Sequence, residues 1–260
     1  MIITGGSSGI GKSFIELMSK IEPSLQICNL SRSESERFLD WPQLTHFACD
    51  LSRPEALEGV VPDVLKWLER TGSGRILLIN NSGYGLYGQF TEIDREAQLN
   101  MMDLNVRAVV DLTHRLLPAL QASGGHVLNV ASIAGHQPTP YLGVYGATKA
   151  FVLQWSLAMG VEHAGRGVGF TVLCPGPTES QFFQRAGFDQ PPVPGMGHSA
   201  EFVVNRALQG VARGRAVVTT GWMNRLTTAF SRRLPLSWQA AISGAVMRRM
   251  RLEQKQGSSS

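Results

Sequence analysis

Short apolar runs alternate with segments of helical periodicity along most of this chain, and that alternation limits the folds it can adopt. The predicted strands cover residues 1–3, 25–30, 45–49, 75–79, 126–131, 169–174 and 216–219. The run 75–79 is apolar at nearly every position, which is typical of a strand buried on both faces of a parallel sheet. The pattern predicts an α/β protein with a doubly wound parallel sheet in three α/β/α layers, forming one domain over residues 1–219.

A glycine-rich turn follows the first predicted strand. Residues 4–11 read Thr-Gly-Gly-Ser-Ser-Gly-Ile-Gly, and a helical face with Phe14, Leu17, Met18 and Ile21 comes next. A helix that begins at such a turn presents backbone N–H groups to an anion, and glycines let a pyrophosphate approach the backbone. We therefore expect a dinucleotide phosphate at this turn. The expected contacts are Gly5, Ser7, Ser8, Gly9, Ile10 and Gly11.

The same stretch supports an alternative. Gly6, Gly11, Lys12 and Ser13 satisfy the Walker A spacing, in which a loop wraps the phosphates of a mononucleotide. A P-loop nucleotide hydrolase also needs a strand that ends in an aspartate for Mg²⁺, and Asp50 follows such a strand. This alternative leaves the residues around position 145 without a role.

Charge at the end of the second predicted strand bears on the choice of dinucleotide. Arg32 lies between Ser31 and Ser33, where an NAD site would have an acidic residue for the ribose 2′-hydroxyl. A cation with two small hydroxyls suits a 2′-phosphate, so we expect NADP rather than NAD; a solvated loop charge is the alternative. Asp50 and Leu51, which close the third predicted strand, are expected to meet the adenine.

Tyr145 and Lys149 are four residues apart at the start of a helical pattern that runs to about residue 162. In a helix they share one face, which brings an ammonium group near a phenol. A nearby cation lowers the pKa of a tyrosine from its ordinary value of about 10, and the phenol can then exchange a proton with a substrate oxygen. Ser132, at the end of the apolar run 126–131, could hold the same oxygen. Taken alone, such a pair is more often a pair of surface residues.

Further motifs complete an ordered series. The series comprises Thr4-Gly5-x3-Gly9-Ile10-Gly11, Asp50-Leu51, Asn80-Asn81-Ser82-Gly83, Asn105, Ser132 thirteen residues before Tyr145, Tyr145-x3-Lys149 and Pro175-Gly176. Over roughly residues 1–219 this series resembles the short-chain dehydrogenase/reductase family. Ser82 replaces the alanine that is usual in that family, and Ser8 stands where some NADP-binding members carry a basic residue.

The resemblance implies a Rossmann-like fold, a nicotinamide cofactor and a role for each matching residue. Tyr145 would be the acid/base. Lys149 would bind the nicotinamide ribose and lower the pKa of Tyr145, Ser132 would orient the carbonyl, and Asn105 would hold a water in the proton relay. Further cofactor contacts would come from Asn81, Ser82, Gly83, Pro175 and Gly176, and from Thr178 and Ser180 beside the carboxamide.

The implied function is an NADP-dependent oxidoreductase that reduces a ketone or aldehyde, or oxidises the matching alcohol. We expect an apolar substrate, because the variable positions around the site are largely apolar or aromatic. These positions are Tyr84, Leu86, Tyr87, Tyr141, Phe182 and Phe183, with residues 179–200 as a substrate loop. The alternative is a non-catalytic dinucleotide-binding or membrane-associated scaffold protein.

The chain ends in a basic segment. The whole chain carries a net charge of +4, and the residues from Gly221 onward carry seven basic side chains and one acidic one, +6, so the remainder is −2. Trp238, Ile242, Val246 and Met250 repeat every four residues. We expect a basic amphipathic segment over residues 220–255 and a disordered end over 256–260. The segment would lie on an anionic membrane surface or dock on the body or a second subunit; an acidic body argues against nucleic acid.

The three cysteines lie at or beside apolar runs and have no metal-ligand spacing. This pattern predicts buried, reduced thiols in a cytoplasmic protein without a metal site. Peripheral contact of this protein with a membrane surface is left open. We expect a homodimer or homotetramer.

Overall fold

The computed structural model describes residues 1–72, 74–179, 182, 186, 197–231 and 233–257, with side chains as far as Arg249. Its strands are β1 (Ile2–Thr4), β2 (Ile27–Ser31), β3 (Leu44–Ala48), β4 (Leu77–Asn80), β5 (His126–Val130), β6 (Gly169–Cys174) and β7 (Val217–Thr219). Within the described residues they form one seven-stranded sheet in the order β3-β2-β1-β4-β5-β6-β7, and every neighbouring pair is parallel. The predicted doubly wound parallel sheet is confirmed, with strand ends shifted by one or two residues.

Helices cover both faces of this sheet. They are α1 (Gly9–Ile21), α2 (Pro54–Thr71), α3 (Arg95–Met102), α4 (Ala108–Ala122), α5 (Gly143–Glu162), α6 (Ala200–Ala212), α7 (Trp222–Ser231) and α8 (Leu236–Gly257). Successive strand residues point to opposite faces, so that in β1 Ile2 packs with α2 and α4 while Ile3 packs with α1 and α6. Apolar cores therefore form on both faces of the sheet, which confirms the three-layer arrangement.

One residue of the apolar face expected for the first helix is exposed. Ile21, the last residue of α1, is 62% exposed, and Ile15 is buried in the core instead. The helix ends at this point, so its final turn extends past the sheet and has no apolar surface to cover.

The helical segment between β4 and β5 is interrupted. A π-helical turn at Asp103–Arg107 separates α3 from α4, and Asn105 lies within it with a fully buried side chain. A single wide turn of this kind re-aims side chains and occurs frequently at functional sites. The turn faces α5 on the same side of the sheet.

The C-terminal segment forms two helices, because the chain turns before Pro235 and starts again at Leu236. The second, α8, packs against the body: the Tyr87 hydroxyl donates a hydrogen bond to the carbonyl of Met247 at 2.8 Å. Gln239 and Ser243 are buried on the same side. Helix α8 continues to Gly257 and so includes the first two residues, 256 and 257, of the predicted disordered end. Residues 258–260 lie outside the described part. None of the helices in the described ranges has the length and apolar character needed to cross a bilayer.

Candidate active site

A cavity of about 890 Å³ opens at the carboxyl edge of the sheet, where β1 and β4 lie side by side and the strand order reverses. In open α/β sheets, ligands bind at this place. Most residues predicted to bind the cofactor or to take part in catalysis line it together. They are Gly5, Ser7, Ser8, Gly9, Ile10, Arg32, Asp50, Leu51, Asn81, Ser82, Gly83, Ser132, Tyr145, Lys149, Pro175, Gly176 and Thr178. Gly11 and Asn105 lie behind the lining, and Ser180 lies outside the described residues.

The glycine turn leads directly into the N-terminus of α1. The helix begins at Gly9, and Ser8 at its N-cap makes no side-chain hydrogen bond to the first turn. Gly11 packs against the turn so closely that a Cβ there would lie 2.2 Å from the carbonyl oxygen of Gly5. The first-turn N–H groups are therefore directed at the cavity without a side-chain cap, which suits an anion.

The start of α1 also decides against the P-loop alternative. A Walker A loop must wrap around the phosphates before its helix begins. Here the helix already begins at Gly9, so Gly9 and Ile10, which would belong to that loop, lie in the first turn of α1 and the loop is too short. The P-loop alternative is therefore set aside.

The loop after β4 is bonded to the glycine turn. The Asn81 side-chain amide donates to the carbonyls of Thr4 at 2.9 Å and Gly5 at 3.1 Å. The Thr4 hydroxyl accepts hydrogen bonds from the backbone N–H groups of Asn81 and Ser82, both at 2.9 Å. Asn81 lines the cavity, but its amide donors hold the turn in shape.

Arg32 and Asp50 lie at the end of the cavity formed by β2 and β3. The Asp50 carboxylate accepts hydrogen bonds from the backbone N–H and the hydroxyl of Ser52, at 3.1 and 2.7 Å. Partial burial raises the pKa of Asp50, but these hydrogen bonds and the charges of Arg32 and Arg53 outweigh it, so the pKa lies below its ordinary value. Asp50 is therefore an anion facing the Arg32 cation across this end of the site.

Tyr145 lies in the first turn of α5 with its side chain buried in the cavity wall. Burial raises the pKa of Tyr145 to about 12, and a hydrogen bond with the Ser132 side chain lowers it only in part. The expected lowering of this pKa by Lys149 is not what the structure shows, because desolvation dominates. The ring of Phe182 contacts the phenol, with the ring centroids 5.2 Å apart.

Lys149 follows one turn later on α5 and is also buried. Its Nζ donates to the carbonyl oxygen of Val130 at 2.8 Å and lies 5.9 Å from the centroid of the Tyr145 ring. Burial lowers the pKa of Lys149 to about 8, and the nearby Cys174 opposes that shift only in part. The two side chains therefore lie on the same face of the helix, as the spacing predicts.

Asn105 connects the loop after β4 to α5. Its Oδ1 accepts a hydrogen bond from the backbone N–H of Tyr84, and its Nδ2 donates to the Tyr84 carbonyl and to the Thr148 hydroxyl. Thr148 in turn donates to the carbonyl of Tyr145 at 2.7 Å. The Asn105 side chain is therefore fully buried, and its hydrogen bonds connect the loop to the residue that contacts the backbone of Tyr145.

Two of the six predicted substrate-contacting residues, Tyr84 and Phe182, line the cavity. Leu86, Tyr87 and Tyr141 are absent from its described lining, because Tyr87 and Tyr141 pack toward the C-terminal helices. Phe183 and most of the predicted substrate loop lie outside the described residues.

The C-terminal helices supply cavity residues that the sequence reasoning missed. The lining includes Phe230, Leu234, Gln239, Ile242, Ser243, Val246 and Met247. A signal was present in Gln239, Ser243 and Met247, which repeat every four residues beside the more conspicuous stripe of Trp238, Ile242 and Val246. Both sets of residues belong to α8, which covers one side of the cavity.

A dinucleotide-binding edge that shares one cleft with a buried phenol and a buried amine defines the class of the nicotinamide-dependent oxidoreductases. The comparisons identify the family. The chain belongs to the short-chain dehydrogenases: the family model described as short chain dehydrogenase matches residues 1–190. It is thus an NAD(P)-dependent oxidoreductase that acts on alcohol or carbonyl groups, and the alternative of a non-catalytic scaffold is set aside.

Similar proteins include oxidoreductases of known and unknown activity. Sulfoacetaldehyde reductase of Chromohalobacter salexigens is 34% identical over 198 residues, covering 73% of this chain and 77% of its own length. Serine 3-dehydrogenase of Agrobacterium fabrum is 32% identical over 191 residues, covering 70% and 73%. Among solved structures, a short-chain dehydrogenase from Sphingobium yanoikuyae in complex with NADPH has a TM-score of 0.76 at 27% identity, over 89% of this chain and 92% of that one.

Proposed function

We propose that this enzyme reduces an apolar ketone or aldehyde with NADPH, or oxidises the matching alcohol, and that Tyr145 exchanges the proton with the substrate oxygen. The buried Tyr145 phenol, hydrogen-bonded to Ser132 on the wall of the dinucleotide cleft, is the observation that carries this proposal. With a pKa of about 12 the phenol is neutral at physiological pH and holds the proton that carbonyl reduction requires. Ser132 would hold the carbonyl oxygen beside it.

The residues present fit a nicotinamide dinucleotide. The uncapped first turn of α1 offers N–H groups to a pyrophosphate, and Lys149 and Thr178 lie farther along the same cleft, at its catalytic end. When bound there, the cofactor supplies the hydride, and the chain supplies orientation and charge. Lys149 would bind the nicotinamide ribose, and Thr178 would lie by the carboxamide; the same role for Ser180 stays a prediction.

Asn105 is proposed to act by positioning. Both hydrogens of its side-chain amide are donated within the protein, to Tyr84 and Thr148. These contacts fix the loop after β4 against the turn of α5 that carries Tyr145. The water-holding role implied by the family resemblance stays a prediction.

Three features support NADP over NAD. Arg32 is an exposed cation on the cavity lining, with Ser31 and Ser33 on either side of it. Glu34, the nearest acid in sequence, lies 3.9 Å from His46 and is not among the described lining residues. A basic group at the end of β2, where an NAD site would carry an acid for the ribose 2′-hydroxyl, favours the 2′-phosphate. Among the relatives with solved structures, complexes with NADPH and with NAD both occur, so the choice rests on these residues.

The outer part of the cavity supports an apolar substrate. Its lining there includes Tyr84, Phe182, Phe230, Leu234 and Ile242. Sulfoacetaldehyde, the substrate in the name of one relative, carries a sulfonate, for which a cation would be expected. The cations in the described lining are Arg32 and Lys149, and both belong to the proposed cofactor site. In a homologous series of ketones, kcat/KM should therefore rise by up to about fourfold for each added methylene.

The mechanism is tested with Tyr145→Phe and a matched control. The change keeps the ring and its contact with Phe182 but removes the proton, so carbonyl reduction should fall by roughly 10²–10⁴-fold. NADPH binding, followed by its fluorescence, should be retained. Tyr141→Phe removes a hydroxyl from a tyrosine outside the described lining and should leave turnover unchanged. Retained turnover in Tyr145→Phe would refute the proposed role.

Assembly and location stay predictions. Exposed apolar side chains on α3 and α5, such as Leu99, Met102 and Phe151, support the expected homodimer or homotetramer. Light scattering coupled to gel filtration would give the mass. The three cysteines are buried and unpaired, in keeping with a reduced, cytoplasmic protein. The alternative of membrane contact through residues 220–255 is developed below.

A further inference from the structure

An apolar and basic surface covers the outer side of the two C-terminal helices. Eight large apolar side chains there are more than half exposed, and we call them the tail surface. They are Trp222, Met223, Leu226, Phe230, Leu236, Trp238, Ile242 and Val246. The arginines Arg225, Arg233, Arg248 and Arg249 are exposed on the same two helices or at the turn between them.

The tail surface is one face of folded helices. In α8, Trp238, Ile242 and Val246 are four residues apart and point outward, whereas Gln239 and Ser243 are buried toward the body. The inner face is held by the hydrogen bond from Tyr87 to the Met247 carbonyl. Gly244 also faces the body there, since a Cβ added to it would lie 3.4 Å from the ring of Pro140. The outer face is therefore left apolar after the helix has docked, and exposed patches of this kind mark interaction sites.

The tail surface is continuous with the mouth of the active-site cavity. Phe230, Ile242 and Val246 line the cavity and are also more than half exposed. A side chain can satisfy both conditions only at the rim. The cavity therefore opens among the apolar side chains of α7 and α8.

Charge selects the partner. The sequence contains no acidic residue between Glu201 and Glu253. The whole tail surface therefore lies in a stretch whose charged side chains are all basic. Two copies of the tail surface facing each other would bring like charges together. An anionic surface would instead attract the helices, and each arginine that reaches it should increase the affinity roughly fivefold. Tryptophans beside arginines on a helix face are typical of helices that lie in the interfacial plane of a bilayer.

We propose that the tail surface binds the surface of an anionic lipid bilayer and turns the mouth of the active-site cavity toward the lipid. Trp222 and Trp238 enter the interfacial region, while Arg225 and Arg248 meet the lipid phosphates. The consequence for substrate, which rests on the proposed carbonyl chemistry, is that the enzyme takes lipophilic ketones or alcohols dissolved in the membrane rather than polar ones from water.

Vesicle binding tests the surface without reference to catalysis. The full chain is sedimented with vesicles of phosphatidylcholine alone and with vesicles of phosphatidylcholine and phosphatidylglycerol in equal parts. Binding to the anionic vesicles only, weakened by added salt, is expected. Tyr145→Phe, which lacks the proposed proton donor, should bind as well as the wild type, so failure of the surface and failure of the carbonyl chemistry remain distinguishable.

Two paired variants and a matched control locate the contact. Arg225→Gln with Arg248→Gln should weaken binding to anionic vesicles by roughly 25-fold, the product of two fivefold steps. Arg70→Gln with Arg166→Gln removes the same charge from exposed sites at the amino edge of the sheet and should have a much smaller effect. Turnover of a short, water-soluble ketone should be unchanged in both, since none of these arginines lines the cavity as described.

Tryptophan fluorescence gives a second readout that does not depend on charge. Brominated lipid quenches indole groups that enter the bilayer, and the quenching should be lost in Trp222→Phe with Trp238→Phe. Absence of binding to either vesicle, or equal loss in the two arginine pairs, would overturn the proposal. Self-association that is abolished by Trp238→Ser, without any vesicle binding, would assign the tail surface to a second copy of the chain and equally overturn it.

Discussion

Replacing Lys149 by methionine is expected to change how the stability of the fold depends on pH. The Lys149 amine is buried on α5, where it donates one hydrogen bond, at 2.8 Å, to the carbonyl of Val130. Burial lowers its pKa from 10.5 to about 8. A change of this size corresponds to roughly 3 kcal/mol of unfavourable free energy for the charged amine in the folded state.

The direction of this pH dependence follows from the number of protons bound by the folded and the unfolded chain. The folded chain binds this proton more weakly than the unfolded chain, so between the two pKa values the unfolded chain carries more protons and stability rises with pH. From pH 7 to about pH 9.5 this one group should add about 2 kcal/mol to the wild type relative to Lys149→Met. The neighbouring Cys174 and Tyr145 do not interfere, because burial raises both of their pKa values to about 12.

Urea denaturation at the two pH values measures this difference. The hydrogen bond to Val130 is lost in Lys149→Met at both pH values, so comparing the pH dependence isolates the effect of burying the charge. Lys20→Met changes an exposed lysine on α1 and should give a pH dependence parallel to the wild type. If Lys149→Met also runs parallel to the wild type, the reasoning about the buried amine is refuted.

Three further changes have definite expected results. Asn105→Ala leaves the backbone N–H and carbonyl of Tyr84 unpaired in the interior and should lower the free energy of unfolding by about 2–4 kcal/mol in urea titrations. Gly83→Ala would put a Cβ 2.9 Å from Asn105 Oδ1 and 3.2 Å from Lys149 Nζ, so NADPH binding, measured by fluorescence, should weaken while the circular dichroism spectrum is retained. Arg32→Gln should raise the KM for NADPH by roughly 10–100-fold and leave that for NADH nearly unchanged, and equal changes for both would contradict the phosphate contact.

Sequence patterns were sufficient to predict those features of the fold and the site that have a single physical cause. The sheet follows from apolar runs such as 75–79, and the gathering of distant motifs at one edge follows from parallel strands whose carboxyl ends coincide. Tyr145 and Lys149 lie on one face because the helical period requires it. These features depend on the chain's own geometry and need no knowledge of the surroundings.

Features that depend on packing between elements could not be predicted from the sequence. The buried position of Asn105 requires the π-helical turn. That turn depends on how α3 and α4 pack against α5. The pKa of Tyr145 is raised, whereas the sequence predicted that it would be lowered. Desolvation depends on all the neighbours that exclude water from the phenol, and the sequence spacing gives information on Lys149 alone. The position of α8 over the cavity depends on Tyr87, which is 160 residues away from Met247 along the chain.

The contacts of the loop after β4 explain how the two halves of the cleft keep their spacing. Asn81 bonds the loop to the glycine turn on the cofactor side, and Tyr84 bonds it through Asn105 and Thr148 to the turn of α5 that carries Tyr145. Each half has its own strand and helix, and this loop connects them through buried hydrogen bonds. Because such bonds are costly to leave unmade, the loop resists displacement in either direction. The distance between the pyrophosphate turn and the phenol is therefore set by residues 81–84 as much as by the sheet, and a change there should alter cofactor binding and proton transfer together.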